Sequence, residues 1–137
     1  MIPKFRAYYA EKMWYVAKID LWGDPEQTTC DLAPYLPKYD ELFDIPLIET
    51  ALMQSTGLKD ENGVEIFEGD LVEHDDNING TWETFEACEI VYDVDYAQFC
   101  FKNDASNFLS YYRNLCIIGN VYEDGDLLND SEDTKRN

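Results

Sequence analysis

Hydrophobic and polar residues alternate along most of the chain with the two-residue period of β-strands. The alternation is clearest at 4–8 and 13–21, where aromatic and β-branched residues are frequent, so these segments predict an N-terminal hairpin with a turn at Glu11-Lys12. No segment has the pattern of a strong amphipathic helix. Further strands are predicted at 52–54, 64–67, 71–72, 85–92, 98–102 and 117–122. The pattern therefore predicts a mainly β protein, either a small antiparallel barrel or two packed sheets, with short helical segments.

Two glycine-containing turns separate the central strands. Asn62-Gly63 and Glu68-Gly69-Asp70 each interrupt the alternation, and we expect Gly63 and Gly69 to adopt positive φ angles. We expect Asp70 to accept a hydrogen bond from a nearby backbone amide and so fix the bend before the next strand. Structural need explains these residues without any chemical role.

Proline marks a different kind of segment near the start of the chain. Four of the five prolines lie in segment 23–50, which therefore predicts a long irregular connection with a short helix near 38–43. Segment 103–112 predicts a second short helix, capped by Asn103 or Asp104. Residues 125–137 are polar and predict a flexible acidic tail. We thus expect one domain over 1–124.

Composition limits the classes of function. The chain has 137 residues, of which 45% are hydrophobic and 15% aromatic, and this excludes a wholly disordered protein. It has 29 acidic and 10 basic residues, a net charge of −19. Residues 51–100 contain 13 acids and a single base, Lys59. Such a surface excludes ordinary binding to nucleic-acid phosphates and argues against anionic membranes.

The N-terminus and the cysteines indicate a compartment. No long apolar run follows the first residues and no stretch approaches the ~18 apolar residues that span a bilayer, so we expect a cytoplasmic protein. The cysteines lack the two-residue spacing of zinc and redox motifs, and we expect buried, reduced thiols. A catalytic cysteine would require the single histidine, His74, which nothing in the sequence brings close to a thiol. The four cysteines are Cys30, Cys88, Cys100 and Cys116.

Residues 75–86 match the letters of a calcium-binding loop, D-x-[DN]-x-[DN]-G-x5-E. An EF-hand loop lies between two helices, whereas both flanks here are predicted strands, and Trp82 occupies a position where a smaller aliphatic residue is usual. We therefore expect a plain hairpin loop, and we assign no metal and no cofactor. The residues of the pattern are Asp75, Asn77, Asn79, Gly80, Thr81 and Glu86.

Other acidic and titratable residues have structural explanations. Asp93 and Asp95 lie near a predicted turn, and we interpret them as solvated turn residues. His74 has acidic neighbours, which predicts a surface histidine with a raised pKa. Since no catalytic residue can be assigned, we expect a protein that is not an enzyme.

Core and sheet packing is the first explanation of the aromatic residues, but adjacent aromatic pairs also suggest a binding surface or a subunit contact. Tyr8-Tyr9 and Trp14-Tyr15 lie in predicted strands, so one member of each pair must point away from a one-sided core. Trp22 follows the second of these strands. Exposed aromatic side chains favour a protein interface over bare solvent.

Three blocks of sequence, at 2–7, 52–72 and 117–123, resemble the YopX-like proteins of phages and prophages in residues, order and spacing. The central block, which includes Gly63 and Gly69, is the most specific. The resemblance implies a small, mostly β protein that is encoded by a phage or prophage of a Gram-positive bacterium and forms an oligomer. It implies no activity and transfers no catalytic residue. Segment 23–50 matches no pattern of that family.

Three functions remain as hypotheses. The first, which we favour, is a phage accessory module without enzymatic activity that binds itself or a host protein in the bacterial cytoplasm. The second is an acidic DNA mimic that inhibits a host DNA-acting enzyme. The third is a metal-dependent hydrolase or nuclease that uses Asp75, Asn77, Asn79 or Glu86, and we rank it last because its charge would repel a nucleic-acid substrate.

Overall fold

The computed structural model describes residues 4–35, 40–102, 109 and 113–128, without the side chains at 76–78 and 113. The described chain is mainly β and contains two antiparallel sheets, neither of which closes into a barrel over these residues. The prediction of a two-sheet, mainly β architecture is therefore confirmed. The chain divides into two compact units, Met1–Ser55 and Thr56–Asn137. The predicted limits of a domain at 1–124 and a tail at 125–137 stay a prediction, since 129–137 lie outside the described residues.

The first unit is an antiparallel sheet with the strand order β4-β3-β2-β1-β5. β5 continues beyond the unit boundary into the second unit, where β6 lies beside it. Two 3-10 helices connect the strands, at Pro25–Gln27 and Leu47–Glu49. The strands are β1 (Phe5–Tyr9), β2 (Lys12–Asp20), β3 (Thr29–Pro34), β4 (Leu42–Pro46) and β5 (Ala51–Lys59).

The predicted N-terminal hairpin is present in β1 and β2. Its turn lies at Ala10 and Glu11, both with positive φ angles of 51° and 62°, one residue earlier than the sequence predicts. Ala7 pairs with Trp14, and both are buried on one face of the sheet. The indole Nε1 of Trp14 donates a hydrogen bond of 2.9 Å to the carbonyl oxygen of Tyr9. The core of this unit gathers around Ala7, Trp14, Cys30 and Leu32.

The prediction that 23–50 is an irregular connection is wrong, because two strands and two 3-10 helices occupy it. Its prolines mark the ends of these elements. Pro25 begins a 3-10 helix, and Pro34 and Pro46 are the last residues of β3 and β4. A proline is tolerated at such positions because no ladder hydrogen bond is required there. The helix predicted near 38–43 falls partly outside the described residues, and residues 42–43 are in β4.

The second unit contains β6 and a sheet of order β10-β7-β8-β9. Its core includes Ile66, Val72, Ile90, Phe101 and Leu115. Burying an aliphatic or aromatic side chain of this size contributes about 1.5–3 kcal/mol, so this cluster is a main source of the unit's stability. One helical turn follows at 126–128. The strands are β6 (Glu65–Phe67), β7 (Asp70–Ile78), β8 (Thr81–Asp93), β9 (Gln98–Phe101) and β10 (Arg113–Asn120).

The turns of the second unit follow the sequence prediction at two glycines and differ from it at the end of the last strand. Gly63 and Gly69 have φ angles of 81° and 83°, as expected. A carboxylate oxygen of Asp70 accepts a hydrogen bond of 2.8 Å from the amide of Phe67, which confirms its role at the bend. β10 ends at Asn120, whose side-chain oxygen accepts hydrogen bonds from two following amides and so begins a turn where strand was predicted. The helix predicted at 103–112 lies outside the described residues, except for the buried Leu109.

Across the described ranges, the helices are all too short or too polar to cross a lipid bilayer.

Candidate interaction surface at one end of the first sheet

Three neighbouring strands of the first sheet meet at the same end of that sheet. Asp20 at the end of β2 pairs with Thr29 at the start of β3, and Thr29 pairs with Pro46 at the end of β4. Adjacent strands lie about 4.8 Å apart, so the segments that extend beyond β2 and β4 emerge about 10 Å from each other. The residues that follow β2 and β4 can therefore contribute to one surface.

Thr28 connects these segments by hydrogen bonds. Its carbonyl oxygen accepts a bond of 3.0 Å from the amide of Leu47. Its hydroxyl accepts a longer bond of 3.4 Å from the amide of Trp22 and donates one of 3.5 Å to the carbonyl oxygen of Asp24. Thr28 is buried. The backbone on both sides of this residue is thus held in place from within the sheet.

The two 3-10 helices make the backbone at this end regular. A side-chain oxygen of Asp24 accepts a hydrogen bond of 3.0 Å from the amide of Glu26 and caps the first helix, in which Pro25 fixes φ at the first position. The hydroxyl of Thr50 donates a bond of 2.9 Å to the carbonyl oxygen of Leu47 and closes the second helix. The two helices also contact each other.

Three large apolar side chains project into solvent from this framework. Leu21 is 77% exposed, Trp22 60% and Ile48 64%. The neighbouring Leu47 packs against the core, so the second 3-10 helix turns one apolar side chain inward and the next outward. We call Leu21, Trp22 and Ile48 the end patch. Exposed apolar side chains on an ordered backbone are typical of binding surfaces.

Acidic residues accompany the end patch. Asp20, Asp24, Glu26 and Glu49 belong to the same segments and are all exposed. Segments 20–35 and 40–50 contain no lysine and no arginine. Lys18 on β2 is exposed two residues before Asp20, but the four carboxylates outnumber it, so the end patch lies in a locally negative field.

Of the two adjacent aromatic pairs, Trp14-Tyr15 has one buried and one exposed side chain, as the strand alternation predicts. Trp14 is buried, whereas Tyr15 is 49% exposed and stacks on Tyr35 with ring centroids 4.0 Å apart. Tyr8 and Tyr9 are both half-buried, so neither points fully into solvent.

The sequence pattern indicates Trp22 as a surface residue but does not indicate Leu21 and Ile48. A signal was present for Ile48, because two adjacent apolar residues follow Pro46 and one of them had to face away from a one-sided core. The prediction of an irregular connection at 23–50 concealed this alternation.

The cysteines are free thiols in two different environments. Cys30 and Cys100 are buried, as expected, whereas Cys88 and Cys116 are only half-buried. Burial, and then the charge of Asp31, raises the pKa of the Cys30 thiol. Burial, and then the neighbouring carboxylates, raises the pKa of Cys116. A protonated thiol is a poor nucleophile, so neither cysteine is prepared for covalent chemistry.

The prediction of His74 as a surface residue is wrong. His74 is 5% exposed and stacks between two phenylalanine rings, with ring centroids 5.2 Å from Phe85 and 4.6 Å from Phe101. β7 extends beyond Val72, and residues two apart on a strand share a face, so His74 points to the same core as Val72. Its acidic neighbours in sequence do not determine its surroundings.

Residues 75–86 form a hairpin, as expected. β7 and β8 pair along this segment, and the turn is made by Asn79 and Gly80 with φ angles of 53° and 85°. Asp75 lies opposite Thr84, whose hydroxyl donates a hydrogen bond of 2.7 Å to the Asp75 carboxylate. A two-residue turn between paired strands does not have the wrapped conformation of a twelve-residue calcium loop.

Asp93 and Asp95 lie at the turn between β8 and β9, as predicted. A carboxylate oxygen of Asp93 accepts hydrogen bonds of 2.9 Å from the amide of Asp95 and 3.0 Å from that of Tyr96. This arrangement stabilises the turn and explains Asp93 by structure.

Comparisons with known proteins give a family and a related structure. A family model described as YopX protein matches residues 4–129. A crystal structure of protein EF1440 from Enterococcus faecalis is similar to this chain, with 29% sequence identity and a TM-score of 0.54. The similarity covers 93% of this chain and 99% of that protein. No curated protein matches the chain.

Proposed function

The chain belongs to the YopX family, and we propose that it is a non-enzymatic protein-binding module, encoded by a phage or prophage and acting in the cytoplasm of a Gram-positive host. The observation that carries the proposal is the end patch, in which Leu21, Trp22 and Ile48 are exposed on a hydrogen-bonded framework.

Physical chemistry supports a binding role for these side chains. Removing a large apolar side chain from water contributes about 1.5–3 kcal/mol, so three such residues can anchor a partner. A framework that is already ordered reduces the entropy lost when the partner binds. Tryptophan is also among the residue types that most often dominate the binding energy of an interface.

The titratable residues support a role without catalysis. His74 lies between two aromatic rings. Burial is the main reason why the pKa values of the Cys30 and Cys116 thiols are raised. Asp75 and Asp93 accept hydrogen bonds that stabilise their own hairpins. Each of these groups thus has a structural explanation.

An acidic DNA mimic is the second candidate, because the hairpin of β7 and β8 is strongly acidic. Segment 60–101 contains no lysine and no arginine. Exposed carboxylates on β8, such as Glu83 and Glu86, lie on a paired scaffold that could present a regular array of negative charge to a DNA-binding surface. This function predicts a DNA-acting enzyme as the partner.

The proposed function is tested by affinity capture from a lysate of the encoding bacterium, with a salt gradient for elution and mass spectrometry for identification. A stoichiometric partner that resists salt is expected for binding through an apolar surface. A DNA-acting enzyme released at moderate salt would support the mimic instead. Sedimentation velocity on the purified chain measures the predicted self-association. A monomer that retains no stoichiometric protein would contradict the proposed function.

A further inference from the structure

We propose that the end patch binds a short basic segment of a partner protein, in which apolar residues are flanked by lysine or arginine. This inference rests on the proposed protein-binding function and specifies the chemistry of the partner. It commits to a foreign protein and not to a second copy of this chain.

The charge around the patch selects a basic partner. Leu21 and Trp22 lie between Asp20 and Asp24 in sequence, and Glu49 follows Ile48 directly. The apolar centre thus has carboxylates on both of the segments that form it. An interface with an apolar centre and a charged rim is most favourable when the partner presents the opposite charge at the same rim.

A second copy of the chain does not satisfy this requirement. A symmetric dimer through the end patch would bring the patch of one copy against the same patch of the other. Asp20, Asp24, Glu26 and Glu49 would then face acidic residues. The exposed Lys18, two residues before Asp20, is outnumbered by these four carboxylates. Like charges placed across an interface oppose association.

The spacing of the strands limits the size of the bound segment. The residues after β2 and those after β4 emerge about 10 Å apart, which is close to one three-residue turn of a polyproline II segment with its rise of about 3.1 Å per residue. Residues three positions apart share a face in that conformation, so two apolar residues at this spacing can reach both Trp22 and Ile48. Basic residues on either side of that pair would then lie over the acidic rim.

The probe is a fluorescein-labelled peptide with a Leu-Ala-Ala-Leu centre between two pairs of lysines. Its affinity for the full chain is measured by fluorescence anisotropy at about 150 mM salt, where long-range attraction to a net-negative protein is largely screened. A peptide with glutamates in place of the lysines is the charge control.

The decisive variants leave the charge of the protein unchanged. Trp22→Ser and Ile48→Ser are each expected to weaken binding of the lysine peptide about tenfold, since each removes an apolar anchor. Trp82→Ser is the matched control, because Trp82 is 69% exposed and lies on β8 of the second unit. The affinity of the Trp82→Ser variant for the lysine peptide is expected to stay within about twofold of that of the parent. Circular dichroism verifies that each variant folds.

The acidic residues beside the end patch are tested separately with the variants Asp20→Asn and Glu49→Gln. Both residues are exposed, so the fold should persist. Each variant is expected to weaken binding of the lysine peptide and to reduce its dependence on salt, since one attractive charge is lost. Rim variants that bind like the parent would overturn the charge argument.

Three further outcomes would overturn the inference. They are a parent chain that does not bind the lysine peptide, a glutamate peptide that binds equally well, and a Trp82→Ser variant that is weakened as much as Trp22→Ser. Failure of the inference can be distinguished from failure of the proposed function by capture with a Trp22→Ser, Ile48→Ser double variant. A stoichiometric partner retained equally by the parent and the double variant would overturn the inference while the proposed function stands.

Discussion

The side chain of Asp60 and the backbone of Ile117, 57 residues apart in sequence, are joined by a hydrogen bond of 3.1 Å from the Ile117 amide to a carboxylate oxygen of Asp60. The other oxygen of Asp60 accepts bonds of 2.9 Å from the amides of Asn62 and Val64. The Glu61 amide also donates to the carbonyl oxygen of Leu115, at 2.8 Å. One buried carboxylate therefore stabilises the turn after β5 and attaches that turn to the outer side of β10.

The Asp60→Asn variant is expected to lower the free energy of unfolding by about 1–3 kcal/mol, the cost of leaving a buried hydrogen-bonding group unsatisfied. Asparagine has one oxygen where the carboxylate has two, so its NH₂ group would face an amide donor. Urea denaturation of both proteins measures the difference. Glu61→Gln is the control, because the Glu61 side chain is exposed and a change within about 0.5 kcal/mol is expected there. Equal stability of Asp60→Asn and the parent would contradict this role.

The same carboxylate predicts a dependence of stability on pH. Burial alone would raise the pKa of Asp60, but hydrogen bonds from the amides of Val64, Ile117 and Asn62 together outweigh it and hold the pKa below its ordinary value. The unfolded state then binds a proton more readily than the folded state does. The stabilisation is present above the ordinary carboxyl pKa of about 3.9 and is lost as the pH falls through the folded pKa.

Unfolding free energies of the parent and of Asp60→Asn, measured from neutral pH down to about pH 3, test this linkage. The difference in unfolding free energy between the two proteins is expected to be constant near neutral pH and to become smaller below about pH 4. A difference in unfolding free energy that does not change with pH would show that the charge of Asp60 contributes nothing to stability.

Gly119 is expected to tolerate no side chain. A Cβ atom at this position would lie 2.6 Å from a carboxylate oxygen of Asp124 and 2.8 Å from its Cβ. Asp124 is not free to move, because the same oxygen accepts a hydrogen bond of 3.0 Å from the amide of Asn120. Gly119→Ala should therefore lower the free energy of unfolding by about 1–3 kcal/mol, as overpacking does elsewhere.

Gly23→Ala is the matched control for this steric effect. A Cβ atom at Gly23 would meet nothing within 4 Å. Its effect on stability in the same denaturation experiment is expected to lie within about 1 kcal/mol of zero. If the two alanine variants were equally stable, the close approach of Asp124 to Gly119 would not restrict the fold.

Local sequence signals predicted the parts of this structure that depend on neighbouring residues. The hairpin of β1 and β2, the positive φ angles of Gly63 and Gly69 and the hydrogen bond of Asp70 all involve residues close in sequence. Turn chemistry is encoded within a few residues, so one sequence is sufficient to recognise it.

Features that depend on strand pairing were missed. His74 has acidic neighbours in sequence, but its environment is determined by the extension of β7 and by Phe101 on another strand. The end patch needs β2, β3 and β4 to be placed side by side, and the prolines of 23–50 had suggested that β3 and β4 did not exist. Pairing brings together residues that are distant in sequence, which composition and periodicity do not record.

Cys30 is expected to resist labelling in the folded protein more strongly than the half-buried Cys88. It is buried in the core of the first unit beside Leu32, and burial, followed by the charge of Asp31, raises its pKa above the ordinary value of 9.0. The thiolate is the reactive form, so both access and ionisation oppose reaction at neutral pH. Labelling with a thiol-reactive chromophore, located by peptide mass mapping, should modify the half-buried Cys88 before Cys30. In urea all four cysteines should react at similar rates. Rapid modification of Cys30 in the native protein would contradict its burial, and a Cys30→Ser variant identifies its share of the signal.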